Sequence, residues 1–375
     1  MQQAMSILFV DDDPALLNAL RRALRQQSRD WQLSFAQSAG EALAQMKKQA
    51  FDLVVSDLRL SDMTGVALLR RVARLRPTSL RVVLSGHATQ RNALEAAGVA
   101  HLYLTKPYET EDLVAVIQRA EVLREMQLDE QSRARLGQLS ELPVLPSVYE
   151  RLTALLREMG DEVGISDVAE VVSSDPALVA KLLQLTNSAF FGLARSVETV
   201  EQAVTALGLD TLRALVLAIG LFKPDEREQI SPEVHQALLQ HSCEVAALAK
   251  RFARRSKAGR QQQEQVFLAG ILHDVGLLPL LANGQIDESE WTDHDSDQPA
   301  DSQRNHALIG AYLLRLWGFA DGLVELVQYH HQPLPYRSDM LDWVALAEVR
   351  ARGVTEPARG WLAKRDDLKE MLNDA

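Results

Sequence analysis

The sequence predicts an α/β doubly wound domain of the (βα)5 kind, followed by an all-α helical bundle. Two patterns carry this. Up to about residue 118, short apolar runs (ILFV, LSFA, DLVVS, RVVLS, HLYLT) alternate with longer segments of helical spacing such as PALLNALRRALRQQ. After LPVLPS, Leu and Ala recur at intervals of three and four, and nothing reads as a strand. The length of 375 residues allows two or three domains with real cores.

The elements follow in order. Each apolar run of the first half is short enough for a strand, and its alternation with helices implies a mostly parallel sheet, with chemistry beyond the carboxyl ends of its strands. The first run ends at Asp11, Asp12 and Asp13, the third at Asp57, the fourth at Ser85 and the fifth at Lys106 and Pro107. A helix then places Leu113, Val116, Ile117, Ala120 and Leu123 on one face, which packs back on the sheet or forms a dimer seam. The charged run EMQLDEQSRARLGQ reads as a solvated connector. In the helical half, SSDPALVAKLLQL announces a helix start, with Asp175 as cap and Pro176 in the first turn. The apolar stretch Ala203 to Phe222 carries Asp210 and Arg213, so it reads as a buried helix and no membrane insertion is expected.

Composition narrows the function. Forty Lys plus Arg against 51 Asp plus Glu give a net charge of −11, which disfavours DNA or any phosphate backbone as main partner. Cys243 is the one cysteine, so no intramolecular disulfide can form, and the amino-terminal residues lack a signal-peptide pattern. A cytoplasmic protein is expected. The basic segment KRFARRSKAGR, residues 250–260, lacks interleaved aromatics and reads as a solvated helix end and loop.

Clustered carboxylates repel one another, so Asp11, Asp12 and Asp57 make sense around a hard divalent cation such as Mg2+. One carboxylate could then accept a phosphoryl group, with the cation and Lys106 neutralising its oxygens and Ser85 donating to them. Asp13, before Pro14, reads as a helix cap.

The motifs FVDDDP, LVVSDLRLSDMTG, VVLSG and YLTKP, spread over residues 5–120, resemble the CheY-type receiver domain of two-component response regulators. This resemblance implies Asp57 as phosphoacceptor and Mg2+ held by Asp11, Asp12, Asp57 and the Arg59 carbonyl. It further implies Tyr103 as an aromatic that changes rotamer when Ser85 moves toward the phosphoryl group, and a sensor histidine kinase as partner. Ser61 stands where many receivers have proline.

Nine histidines occur, and the helical half holds His241, His273, His306, His330 and His331, with Asp274 next to His273 and Glu348 further on. Imidazoles and carboxylates from different helices are how bundles build metal centres, and this donor mix suits Fe, Mn or Mg. A bridging Asp274 could hold two ions that activate water for phosphodiester attack.

The HD pair, the downstream HxxxG and the HH pair resemble the HD superfamily of metal-dependent phosphohydrolases. The segments LPVLPSVYERLTALL, VVSSDPALVAKLLQLTNSAFFGL and VEQAVTALGLDTLRALVLA resemble its HDOD branch, over about residues 136–350. The implied organisation is a receiver at 1–120, a helical linker at 121–140, an HDOD output domain at 141–350 and a helical tail at 351–375. The pattern departs from cyclic-di-GMP phosphodiesterase relatives. Leu277 replaces a lysine, QPLPY replaces a GYP loop and Glu348 replaces a terminal aspartate. The expectation is a phosphorylation-controlled signalling or scaffold module with protein partners, a homodimer being one arrangement. The alternative is a phosphorylation-gated metal phosphohydrolase.

Overall fold

A computed structural model describes residues 4–25, 31–86, 99–139, 142–157, 164–187, 197, 199–213, 216, 230–286, 305–331, 338–353 and 366–373. Packing divides the chain into two compact units whose main boundary falls between Ser140 and Glu141.

In the first unit, β1 (Met5–Val10), β2 (Trp31–Ala36), β3 (Leu53–Asp57), β4 (Leu80–Ser85) and β5 (Leu102–Thr105) form one parallel sheet of order β2-β1-β3-β4-β5. Ile7, Leu8, Phe9 and Val10 are buried, as expected of a central strand covered on both faces. The order reverses between β1 and β3, which opens a crevice at their carboxyl ends.

The helices are α1 (Pro14–Arg25), α2 (Ala39–Met46), α3 (Gly65–Leu75) and α4 (Thr110–Glu125). Asp13 caps α1, accepting from the N–H groups of Ala15 at 2.8 Å and Leu16 at 3.3 Å, as its sequence context predicts. Ser38 and Thr64 cap α2 and α3 in the same way. The helix expected between β4 and β5 lies outside the described residues. All five apolar residues of the α4 face are buried in the protein.

The connector expectation needs correction. Residues 130–138 form a helix, α5 (Glu130–Gln138), as a helical linker requires, but the run is not solvated throughout: Met126, Leu128 and Leu136 are buried in the protein. The physical reason is a polar latch. Arg81 Nη2 donates to the Gly137 carbonyl at 2.6 Å and lies 2.7 Å from His101 Nε2, both side chains being buried. A Cβ on Gly137 would meet the Pro77 carbonyl oxygen at 2.1 Å, so glycine permits this approach. Burial and then the Arg81 charge hold His101 well below the ordinary histidine range, which keeps the latch uncharged on that side.

Among the described residues, every element of the second unit is helical: α6 (Pro146–Arg157), α7 (Ile165–Ser173), α8 (Pro176–Asn187), α9 (Val200–Leu207), α10 (Leu209–Arg213), α11 (Pro232–Arg255), α12 (Arg260–Leu272), α13 (Leu277–Ala282), α14 (His306–Leu316), α15 (Asp321–Gln328), α16 (Asp339–Ala351) and α17 (Asp366–Asn373). Asp175 caps α8 through the N–H groups of Ala177 and Leu178, and its second oxygen accepts from Leu145 at 3.0 Å. The stretch read as one buried helix from Ala203 is broken at Gly208 (φ 77°) between α9 and α10; most of its remainder lies outside the described residues.

The core joins Val245, Phe252 and Ala253 of α11, Val266 and Ala269 of α12, and Val344, Leu346 and Val349 of α16. Leu368 and Leu372 of α17 belong to the same cluster, so the residues expected as a tail contribute to the core. Residues 260–282 are long and apolar enough to cross a membrane, yet most are buried inside the protein, with His273 and Asp274 among them. In the basic segment, Lys250 pairs with Glu264 at 2.8 Å, and Arg251, Arg254 and Lys257 are exposed, as a solvated helix end requires.

Candidate functional sites: an acidic pocket and a buried histidine cluster

The carboxyl ends of β1, β3 and β5 bring Asp11, Asp57 and Lys106 together. Lys106 Nζ donates to Asp11 Oδ2 at 2.7 Å and to Asp57 Oδ1 at 2.5 Å. Asp57 Oδ2 accepts the Arg59 N–H at 2.7 Å, and Asp11 Oδ1 accepts the Asp13 N–H at 2.9 Å. Asp11 is buried, Asp57 is partly exposed and Asp12 is exposed at the mouth. Burial by itself would lower the Lys106 amine, but the bonds and charges of Asp11 and Asp57 outweigh it and raise it. The ammonium is therefore fixed at neutral pH.

Arg59 lies in the loop after β3, which closes through a bridge to Thr64. A Cβ on Gly65 would meet the Asp57 carbonyl oxygen at 2.0 Å, so that glycine lets α3 start against the end of β3. Ser85 ends β4. Tyr103, on β5, packs against the core that includes Leu58 and Val83, and burial raises its phenol. The sequence reasoning missed Asp62, whose two oxygens accept the N–H groups of Ala39 (3.0 Å) and Gly40 (2.8 Å), tying this loop to the start of α2. Its sequence signal, an acid in the loop after β3, was indistinguishable from a solvated residue.

In the second unit, five elements or their ends converge. His241 comes from α11, His273 and Asp274 from the end of α12, His306 from the first position of α14, His330 and His331 from just after α15, and Glu348 from α16. Each of the seven sequence-predicted residues is in the cluster. His306 Nε2 is 3.1 Å from Asp274 Oδ1, and His273 Nε2 is 3.2 Å from Asp274 Oδ2. His241 Nε2 and His273 Nε2 lie 2.8 and 3.1 Å from Glu348 Oε2. His331 Nε2 is 3.0 Å from His306 Nε2.

Tautomers follow from the outer contacts. His273 Nδ1 faces the Gly270 carbonyl at 2.7 Å and His330 Nδ1 faces the Val327 carbonyl at 2.6 Å, so each Nδ1 carries the proton and each Nε2 turns a lone pair inward. Both oxygens of Asp274 and Nε2 of His273 are buried without a hydrogen bond of acceptable geometry among the described residues. Lone pairs facing carboxylate oxygens at such distances repel unless a cation or a proton lies between them.

With no cation between them, the carboxylates hold a second proton on His273, which a metal ion would displace. Burial lowers His273, yet the facing Asp274 and Glu348 reverse this and push it up to about 10. Burial, then the neighbouring imidazoles of His273 and His306, lowers His330 to about 3. Burial would raise Asp274 and Glu348, but His273 and its neighbours hold both well below the carboxylate range. Ionised carboxylates beside imidazoles whose inward Nε2 can exchange a proton for a metal are a donor set suited to a divalent ion. Two groups satisfy close ligand spacing: Asp274, His306, His330 and His331, and His241, His273 and Asp274.

Close helix packing makes this convergence. A Cβ on Gly276 would lie 2.0 Å from the His306 carbonyl oxygen, and one on Gly270 would lie 2.4 Å from Ala246 Cα. Leu277 is fully buried. QPLPY lies outside the described residues. The sequence reasoning also missed Arg352, which follows α16 and pairs with Glu348. Four residues separate the two, a spacing so common on helices that it carries no signal by itself.

Comparison with known proteins gives two family matches: the HDOD domain over residues 142–333, just over half of the chain, and the response regulator receiver domain over residues 7–118. The C4-dicarboxylate transport transcriptional regulatory protein DctD of Rhizobium meliloti is 30% identical over 188 residues, 49% of this chain and 40% of that protein. The transcriptional regulatory protein ZraR of Escherichia coli K12 is 32% identical over 117 residues, 31% of this chain and 26% of that protein. The chain thus spans well under half of either relative. Among solved structures, the receiver domain of an HD domain-containing protein from Pseudomonas fluorescens Pf-5 is 28% identical, with a TM-score of 0.31, covering 32% of this chain and 88% of that one. The MmoQ response regulator of Methylococcus capsulatus is 19% identical, with a TM-score of 0.48, covering 61% of this chain and 93% of that one.

Proposed function

The chain belongs to the HDOD family and carries a response regulator receiver domain ahead of its HDOD domain, and on that premise we propose that it is a cytoplasmic response regulator in which phosphorylation of Asp57 by a sensor histidine kinase controls the helical domain. The observation that carries the reading is Lys106, bonded to both Asp11 and Asp57 where the sheet order reverses. An Asp57 oxygen attacks phosphorus, the bond to the kinase imidazole breaks, and an acyl phosphate forms. Lys106 follows the new charge, Ser85 donates to a phosphoryl oxygen and Tyr103 adjusts to that movement. Mg2+ would be held by Asp11, Asp12, Asp57 and the Arg59 carbonyl, and would neutralise phosphoryl oxygens.

The output is a change of population. Phosphorylation shifts the receiver only by its differential stabilisation of two states, and the helical domain then changes which proteins it binds. The test is acetyl phosphate with Mg2+ and intact mass. One phosphate should add to the chain and none to Asp57→Asn; equal uptake by the variant ends this assignment.

For the histidine cluster, the reading is a resident divalent ion, Fe, Mn or Mg, supported by the inward lone pairs and the Asp274 oxygens that lack hydrogen bonds. The ion would supply positive charge between buried carboxylates and hold five chain segments in register. Elemental mass spectrometry of anaerobically purified protein should find metal that disappears in the His273→Ala, Asp274→Ala variant.

The same donors also suit a phosphorylation-gated phosphohydrolase. Leu277 weighs against it, because a fully buried apolar side chain offers nothing to a substrate phosphate. Turnover of cyclic-di-GMP that vanishes in Asp274→Ala would establish that second reading over a scaffold.

A further inference from the structure

The two oxygens of Asp274 face different surroundings. Oδ1 lies 3.1 Å from His306 Nε2 and 3.7 Å from His330 Nε2. Oδ2 lies 3.2 Å from His273 Nε2, 3.8 Å from His241 Nε2 and 3.8 Å from Arg352 Nη2. The Arg352 Nε also donates to Glu348 Oε1. An exposed pair four residues apart on a helix would be unremarkable. Here the Arg352 side chain is 11% exposed and both carboxylates are fully buried, so the guanidinium is a permanent cation inside the cluster.

We infer that Arg352 takes the place of a second metal ion, so that the cluster binds one divalent cation per chain, on Asp274 Oδ1 with His306, His330 and His331. This rests on the cluster being a metal site, as proposed above. Three imidazole nitrogens and one carboxylate oxygen suit a borderline ion such as Fe2+ or Zn2+, and Mn2+ is a paramagnetic probe of the same charge. On the opposite side, an ion bound to Oδ2 at the usual metal–oxygen distance of about 2.1 Å would sit no more than about 6 Å from Arg352 Nη2, in a buried setting where like charges are weakly screened. Glu348, the remaining anion there, already gives one oxygen to Arg352. Asp274 therefore does not bridge two ions, although its neighbours form two ligand groups.

The test uses the full chain in an Asp12→Asn, Asp57→Asn background, which empties the receiver pocket so that the count reports the histidine cluster alone; wild type below means the unaltered cluster in that background. The chain is loaded with Mn2+, the excess is removed, and metal per chain is read by elemental mass spectrometry and the electron paramagnetic resonance spectrum. Wild type should hold one Mn2+ with an uncoupled six-line signal. Arg352→Met, which keeps the apolar stem, should hold two with an exchange-coupled signal. Arg352→Lys, which keeps the charge, should stay at one. Two ions in wild type, or one in a folded Arg352→Met, overturns the inference while leaving the metal site standing. No metal in wild type removes both. Should Arg352→Met fail to fold, wild type and Arg352→Lys still decide, because a coupled signal in either contradicts the assignment.

Discussion

Replacing Gly276 by alanine puts a methyl group into a space the backbone already fills. The new Cβ would stand 2.0 Å from the His306 carbonyl oxygen and 2.6 Å from the Gly310 nitrogen. Normal contact is about 3.5 Å, so α14 must retreat by roughly 1.5 Å, and no side chain can absorb the shift because both neighbours are main chain. Overpacking of this kind costs about 1–3 kcal/mol, which lowers the melting temperature by roughly 2–12 °C for a domain of this size. The same retreat carries His306 away from Asp274 Oδ1, now 3.1 Å distant. Metal–ligand distances tolerate only about 0.2 Å, so Mn2+ affinity should fall by about tenfold or more. Calorimetry and Mn2+ titration measure the two effects. Gly322→Ala is the matched control: a Cβ there meets nothing within 4 Å, and the change should be neutral or stabilising by up to about 1 kcal/mol. A Gly276→Ala protein with wild-type melting temperature and Mn2+ affinity would refute the argument that this glycine sets the helix approach.

Burial pushes the Asp175 carboxyl up to about 6, against the lowering effect of its bonds from Leu145, Leu178 and Ala177. The folded chain keeps a proton that the unfolded chain releases, so this group's contribution is complete below about pH 4 and is lost as pH rises through about 6, by roughly 3 kcal/mol. Urea unfolding of Asp175→Asn, which cannot titrate, should vary less than wild type across that window; equal slopes would contradict the assignment. Lys106→Met should destabilise the receiver domain by about 1–3 kcal/mol, because it leaves Asp11 and Asp57 without their shared cation. Mg2+ should restore more stability to this variant than it adds to wild type, and a smaller Mg2+ effect on its unfolding midpoint would count against the pocket as a cation site. Gly137→Ala, whose Cβ would meet the Pro77 oxygen at 2.1 Å, should speed hydrogen exchange across residues 130–138 while the sheet stays protected. Unchanged protection of α5 would show that the latch does not hold it.

The strands were legible because each is a short apolar run between helical segments, and the ends of these runs located Asp11, Asp57 and Lys106. Histidine and carboxylate types marked the second site in the same way, and Asp13 and Asp175 stood where cap chemistry requires them. Local pattern determines these features, since periodicity and capping depend on neighbours a few residues apart.

Other features depend on partners far along the chain. EMQLDEQSRARLGQ reads as solvated because its charges are visible and its partners are not: Arg81 and His101 hold Gly137 from distances of 56 and 36 residues in sequence. The stretch from Ala203 reads as one helix until Gly208 adopts a positive φ. Arg352 reads as half of an ordinary helix pair, and only folding buries it beside Asp274, 78 positions earlier in the chain. Local pattern determined most of the elements and the chemical groups that each one carries. The tertiary structure decided which groups share a cavity and how their charges balance there, because those energies depend on burial and on distances of 3–4 Å that no local pattern encodes.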